Sequence, residues 1–356
     1  MKKVADSPIQ PRMLMPDQKS DVHYKLVWYS QIARVMSQNV SDPDKPSTAI
    51  SLKPPVIEQV SRAPPKIWMF KLMDAPENSA EGMGQVLDSI AKQAGLPPKV
   101  FFSKLLLMDG DLTTCRNFNS LRSLRTPSNY VKHSLQNIEF QLGASHTLWN
   151  VAHCIYKTHL GDPRKSSGTG AWRVLHALGV PHEKAMPKKD YLLMVKHIEQ
   201  VHEATILAGL KVVMKTKYCT GDARAKAYED ATSDPPIASP RLSNLLLRLQ
   251  DFSTVVEANQ AMKAGNVGRM LNMWKMWSVM SQGLKGLNSY SSYLPRSVLL
   301  LTELLPESFA KLFRHSLLFS PSGRDDHYLS KDGYLEIQNY WLKHVYNSSG
   351  QGTQIN

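Results

Sequence analysis

The pattern of apolar and polar positions divides the chain into two parts of different character. Up to residue 162 the apolar residues come in short runs rich in aromatic and β-branched side chains. From residue 171 to residue 318 almost every periodic segment has the three-and-four spacing of a helix. In the first part, Tyr24-Lys25-Leu26-Val27-Trp28-Tyr29 has the content of a strand, residues 48–52 alternate like a second, and residues 67–73 suggest a third. A helix follows, with Ser79 as N-cap and Glu81 in its first turn. It presents Met83, Val86, Leu87, Ile90 and Ala94 along one face and stops at Gly95 before Pro97-Pro98. The run at 104–108 predicts a fourth strand that breaks into Asp109-Gly110-Asp111-Leu112-Thr113-Thr114. A fifth strand, 137–142, leads through Gly143 into an amphipathic helix capped by Ser145 and running to His159.

This order predicts an α/β core over residues 22–162, then an all-helical stretch over 163–318, then a last segment, 319–346, whose helix carries Glu336. Residues 1–21, with three prolines among charges, and 347–356, rich in Ser, Gly and Gln, are expected to be disordered tails. Residues 219–240 read as a polar linker. The Met/Trp stripe at 269–277 has helical spacing and is expected to pack in the core rather than to form a binding surface.

Composition then narrows the class. A chain of 356 residues with 42% hydrophobic content can bury one large core or two modest ones. Its net charge of +13 is compatible with a polyanionic partner such as DNA. Three scattered cysteines, Cys115, Cys154 and Cys219, exclude a disulfide framework and a paired-cysteine metal knuckle, and point to a reducing, intracellular setting, the nucleus included. No segment has the roughly 18 apolar residues of a membrane span, so a soluble protein without membrane contact is expected.

Candidate chemistry centres on the carboxylates after the fourth strand. Strand ends in open α/β sheets are where ligands and metals sit, and Asp is a hard oxygen ligand suited to Mg²⁺. The Asp-Gly-Asp triplet is equally ordinary turn sequence. His146 and His153 lie on one helical face but two turns, roughly 10 Å, apart. That is too far for one tetrahedral zinc, so packing or capping roles are expected for the histidines. Arg116, Arg122, Arg125 and Lys132 form a basic cluster just beyond Asp111 that suits a phosphate backbone. Asn339, one turn from Glu336, shares its surface. No Walker A, GxGxxG, GxSxG or HExxH pattern occurs, which removes the common nucleotide-binding and hydrolase classes.

The blocks Leu107-Met108-Asp109-Gly110-Asp111-Leu112-Thr113-Thr114-Cys115-Arg116, Phe140-Gln141-Leu142-Gly143-Ala144-Ser145-His146-Thr147-Leu148-Trp149-Asn150 and Ile155-Tyr156-Lys157-Thr158-His159 resemble the fungal family of domain-of-unknown-function 6589 proteins. The segment 332–343, with Glu336 and Asn339, is similar to that family's Glu-x-x-Asn helix. The order of elements also resembles transposases of the ribonuclease H-like superfamily. That resemblance implies a ribonuclease H-like mixed sheet interrupted by a long helical insertion, with acids ending the first and fourth strands and a third acid on a late helix. Asp111 and Glu336 would be the second and third acids, catalytic residues and Mg²⁺ ligands alike. Tyr29-Ser30 stands where the first acid belongs. The resemblance therefore implies a transposon-derived, nucleic-acid-binding protein with impaired catalysis, in which His146, Asn150 and Asn339 are structural polar groups. An active Mg²⁺ nuclease would need a substitute carboxylate such as Asp74. The rival expectation is a helical protein-interaction scaffold without catalysis.

Overall fold

In the computed structural model, residues 8–39, 51–76, 78–165, 168–187, 190–217, 240–287 and 289–346 are described. The fold is mostly helical around a small sheet. Helix α1 is Gln18–Asn39, and α2 is Ala80–Gln93. Strand β1 (Leu106–Gly110), helix α3 (Leu112–Leu124) and strand β2 (Ile138–Leu142) form a β-α-β unit, which runs directly into α4 (Ala144–Leu160). After a short helix, Ala171–Ala177, come α5 (Tyr191–Lys217), α6 (Pro240–Lys263), α7 (Val267–Met280), α8 (Tyr290–Leu299) and α9 (Glu307–His315). A two-residue hairpin of β3 (Leu318–Phe319) and β4 (Leu329–Ser330) then delivers the chain to α10 (Lys331–Tyr346).

The two long strands are parallel, with Leu106 opposite Ile138 and Gly110 opposite Leu142. One face of this ribbon packs on a small cluster of Met83, Leu87, Phe118, Leu121, Leu135 and Ile138, formed with α2 and α3. Leu142, Ala144, Leu148, Val151, Ile155 and Tyr156 belong instead to the main core, which continues without a break into Phe252, Met270, Trp274 and Trp277 of α6 and α7. Trp274 and Trp277 are almost fully buried, as the helical stripe predicted. Each such side chain contributes about 1.5–3 kcal/mol by leaving water. Trp277 Nε1 donates to Thr254 Oγ1 at 2.9 Å, which satisfies the one polar atom that its burial would strand. Between the same two helices, Arg269 meets Glu257 through two hydrogen bonds of 2.7 and 2.8 Å, both side chains being buried.

Several expectations are corrected. Residues 24–29 lie within α1, not in a strand. Their apolar content serves a helix because Val27, Gln31 and Val35 fall on one buried stripe. Residues 67–73 have no regular structure, and Trp68, Met69, Phe70 and Leu72 are exposed. Most of the predicted second strand, residues 48–50, lies outside the described residues; Ser51 and Leu52 are not in a strand. Among the described residues the sheet beside Asp111 has two strands, so a ribonuclease H-like mixed sheet is not shown. Within the predicted N-terminal tail, a turn of 3-10 helix at Pro11–Met13 and the start of α1 are ordered structure. Most of the linker at 219–240 and the tail 347–356 lie outside the described residues. No described helix is long and apolar enough to cross a membrane.

Candidate functional site

β1 runs two residues further than its apolar run suggested, so Asp109 lies inside the strand and Asp111 just beyond it. Asp111 is the N-cap of α3, its Oδ1 accepting the Thr114 N–H at 2.6 Å. A carboxylate there complements the positive end of the helix dipole. Asp111 also lines a cavity of about 1290 Å³ whose wall includes Arg116, His146, Asn150, Lys263 and Glu336.

The next β-to-α junction is built differently. The N-cap of α4 is Gly143, and Ser145 lies inside the helix, so the predicted Ser145 cap is corrected. The capping group comes from far along the chain. Asp332 is 4% exposed, and its oxygens accept the backbone N–H of Ser145 at 3.3 Å and of His146 at 2.8 Å. His146 Nδ1 sits 2.9 Å from the same carboxylate. Only glycine permits this approach, because a Cβ at Gly143 would stand 2.3 Å from Asp332 Oδ2. On the opposite edge of the imidazole, Nε2 is 3.7 Å from Glu336 Oε1. Burial disfavours a charged His146, but the Asp332 hydrogen bond and the charges of Asp332, Glu336 and Asp111 outweigh it and raise its pKa. Burial likewise penalises the Asp332 carboxylate, yet its bonds to His146 and Ser330 hold its pKa below the ordinary 3.8.

Lys331, next to Asp332, ties the start of α10 to β1. Its Nζ is 2.9 Å from Asp109 Oδ1, and the Asp109 side chain is 5% exposed. Burial raises the Asp109 pKa against the pull of Lys331. The start of α10 is thus bonded to both β1 and α4, and Glu336 follows one turn later, at the cavity wall.

Asp111 and Glu336, the two predicted acids, line the same cavity. Of the basic cluster, Arg116 reaches the wall. Arg122 lies over the Phe118 ring, bonds Asn119 at 3.1 Å and faces Glu139 at 3.8 Å, while Arg125 stands at the end of α3 beside α2. The Lys132 side chain lies outside those described. Asn150 Nδ2 donates to the His146 carbonyl at 2.8 Å, so it braces α4 as well as lining the wall. Asn339 is not among the lining residues, nor is Asp74, which is exposed in an irregular segment.

A model described as a family of unknown function (DUF6589) matches residues 4–356. The chain belongs to that family. No curated protein and no solved structure matches it. Sequence reasoning passed over Asp332 and Lys331 because each looks like an ordinary first-turn residue of a surface helix. The available signal was the run Ser330-Lys331-Asp332-Gly333, in which charged residues sit beside a glycine just before an amphipathic helix.

Asp111 and Glu336 offer Mg²⁺ two hard oxygen donors. Asp109 and Asp332 are committed to Lys331 and to α4. Among the described residues, no three His, Cys, Asp or Glu side chains converge as a metal-holding group. Two carboxylates alone would leave most of a Mg²⁺ shell to water and a ligand phosphate, and no three-carboxylate group for a pair of metals stands among the described residues.

Proposed function

We propose that the cavity binds a nucleic-acid strand, and that the protein is a transposon-derived relative of the ribonuclease H-like phosphoryl-transfer proteins with impaired catalysis. The observation that carries this reading is that Asp111, just after a parallel strand, and Glu336, on the last helix, line one cavity together with His146. Supporting it are Arg116 and Lys263 in the same wall and the net charge of +13. The cavity also exceeds the roughly 300–1,000 Å³ of small-ligand pockets, which favours a polymer segment.

Asp111 and Glu336 would hold Mg²⁺, which when bound neutralises charge on a phosphate. Arg116 and Lys263 position the backbone by direct phosphate contacts. Asp332 holds His146 in one orientation and, with Glu336 and Asp111, raises its pKa, which favours the charged imidazole beside Glu336 and so opposes a second cation. Among the described residues no group of three His, Cys, Asp or Glu side chains converges to hold a metal, which supports impaired catalysis. Binding outlasting turnover is the consequence. The helical-scaffold alternative draws on exposed Leu335 and Trp341 of α10.

Fluorescence anisotropy with labelled DNA at about 50 mM salt, where phosphate contacts are strong, tests the reading. Binding should weaken steeply with salt, and Arg116→Glu or Lys263→Glu should each lower the salt slope by about one phosphate contact. If DNA does not bind at low salt, or if both reversals leave its affinity unchanged, the scaffold reading replaces this one.

A further inference from the structure

The cavity wall also contains an aromatic ladder that phosphate binding leaves unexplained. Trp149 lies one helical turn beyond His146 on α4, and the two rings are 5.2 Å apart at 59°. Tyr191, the first residue of α5, lies parallel to Trp149, with ring centroids 5.3 Å apart and planes within 3°. Asp190 fixes the start of α5 by accepting the Leu193 N–H at 2.9 Å, which sets where the Tyr191 ring is held. The ladder therefore runs outward from the His146–Glu336 contact, and all three rings line the cavity. Tyr191 remains 39% exposed.

We infer that the strand enters the cavity unpaired, with a nucleobase stacked against Tyr191 and Trp149; this rests on the nucleic-acid reading above. Core aromatics of this chain, such as Trp274 and Trp277, are closed off from water. Tyr191 instead presents ring surface to an open cavity beside an acid pair. A flat π-face accepts any unstacked base, whereas bases inside a duplex are already stacked on each other. A base on the ladder brings its own sugar-phosphate toward the end of the cavity that holds His146, Glu336 and Asp111. Aromatic residues that share a cavity wall with Arg116 and Lys263 make the combination that single-stranded nucleic acids meet in sequence-tolerant grooves.

The test is anisotropy of the full chain with three probes of equal length: a thymidine homopolymer, an abasic strand and a duplex. The homopolymer is expected to bind about tenfold or more tighter than the other two. Tyr191→Ala should weaken the homopolymer roughly five- to a hundredfold and leave the abasic strand unchanged, while Tyr191→Phe keeps the ring and the affinity. Arg116→Glu should weaken all three probes together. The urea midpoint of each variant is measured alongside, so that a lost fold is not read as lost stacking. If the abasic strand and the duplex bind as tightly as the homopolymer, or Tyr191→Ala weakens all probes alike, stacking is overturned and the nucleic-acid reading stands. If none of the probes binds, both fall.

Discussion

Asp332 is the residue on which the geometry of the site depends most, and its removal should be costly. Asp332→Ala strips α4 of the acceptor for two backbone N–H groups and leaves a half-buried His146 without its counter-charge. Hydrogen bonds to charged groups contribute about 1.5–3 kcal/mol each, and breaking a buried ion pair costs about 3–5 kcal/mol. Because these effects overlap in one side chain, about 3–5 kcal/mol is expected in total for Asp332→Ala. Asp332→Asn retains one acceptor and should lose about half as much. Urea unfolding monitored by far-ultraviolet circular dichroism provides the readout, with the midpoint falling and the slope unchanged. A double-mutant cycle with His146→Gln should show a coupling of about 1–3 kcal/mol. That coupling has a defined pH window. The His146 pKa is raised above 6.5, so its contribution is complete below 6.5 and is lost as pH rises through the raised value. The Asp332 pKa is lowered below 3.8, so its contribution is present above 3.8 and is lost as pH falls through the lowered value. Coupling should therefore be largest between pH 3.8 and 6.5. A loss below about 1 kcal/mol for Asp332→Ala, the worth of a single ordinary hydrogen bond, would refute the capping argument, as would a coupling that does not change with pH.

Two further outcomes follow from buried charge. His202 is buried with Nε2 2.8 Å from Gln31 Oε1, and burial, with Arg34 and Arg248 nearby, pushes its pKa down to about 3. It should therefore cost nothing above pH 6.5 and destabilise the fold progressively below it, by about 2–3 kcal/mol at pH 4.5; His202→Phe should remove this acid sensitivity, and an unchanged pH profile in that variant would contradict it. Lys331→Met strands the buried Asp109 carboxylate and should cost about 1–3 kcal/mol, the lower end reflecting the third of the Lys331 side chain that stays in water; adding Asp109→Asn should recover most of that loss in the same urea assay, and a further loss on adding it would show that Asp109 does not need its partner.

Local sequence determined the elements whose instructions are themselves local. The helix after Ser79 was legible because its cap, its apolar period and Gly95 at φ 63° all act within a few residues of one another. The two strands flanking Asp111 and the core role of Trp274 and Trp277 were readable for the same reason, whereas α3 between those strands was not. Residues 24–29 were misread because strand-like composition is a weak preference that packing overrides: in α1, Gln31 bonds His202 and Ser253, which belong to other helices. The site divides along the same line. That Asp111 follows a strand and that Glu336 sits on the last helix could be read from sequence. That the two line one cavity, that Asp332 rather than Ser145 caps α4, and that Tyr191 lies flat on Trp149 were decided by tertiary structure. Each of these joins segments distant along the chain, and their approach is set by the shared core of α4, α6 and α7 and by the absence of a Cβ at Gly143, neither of which has a signature in any short window of residues.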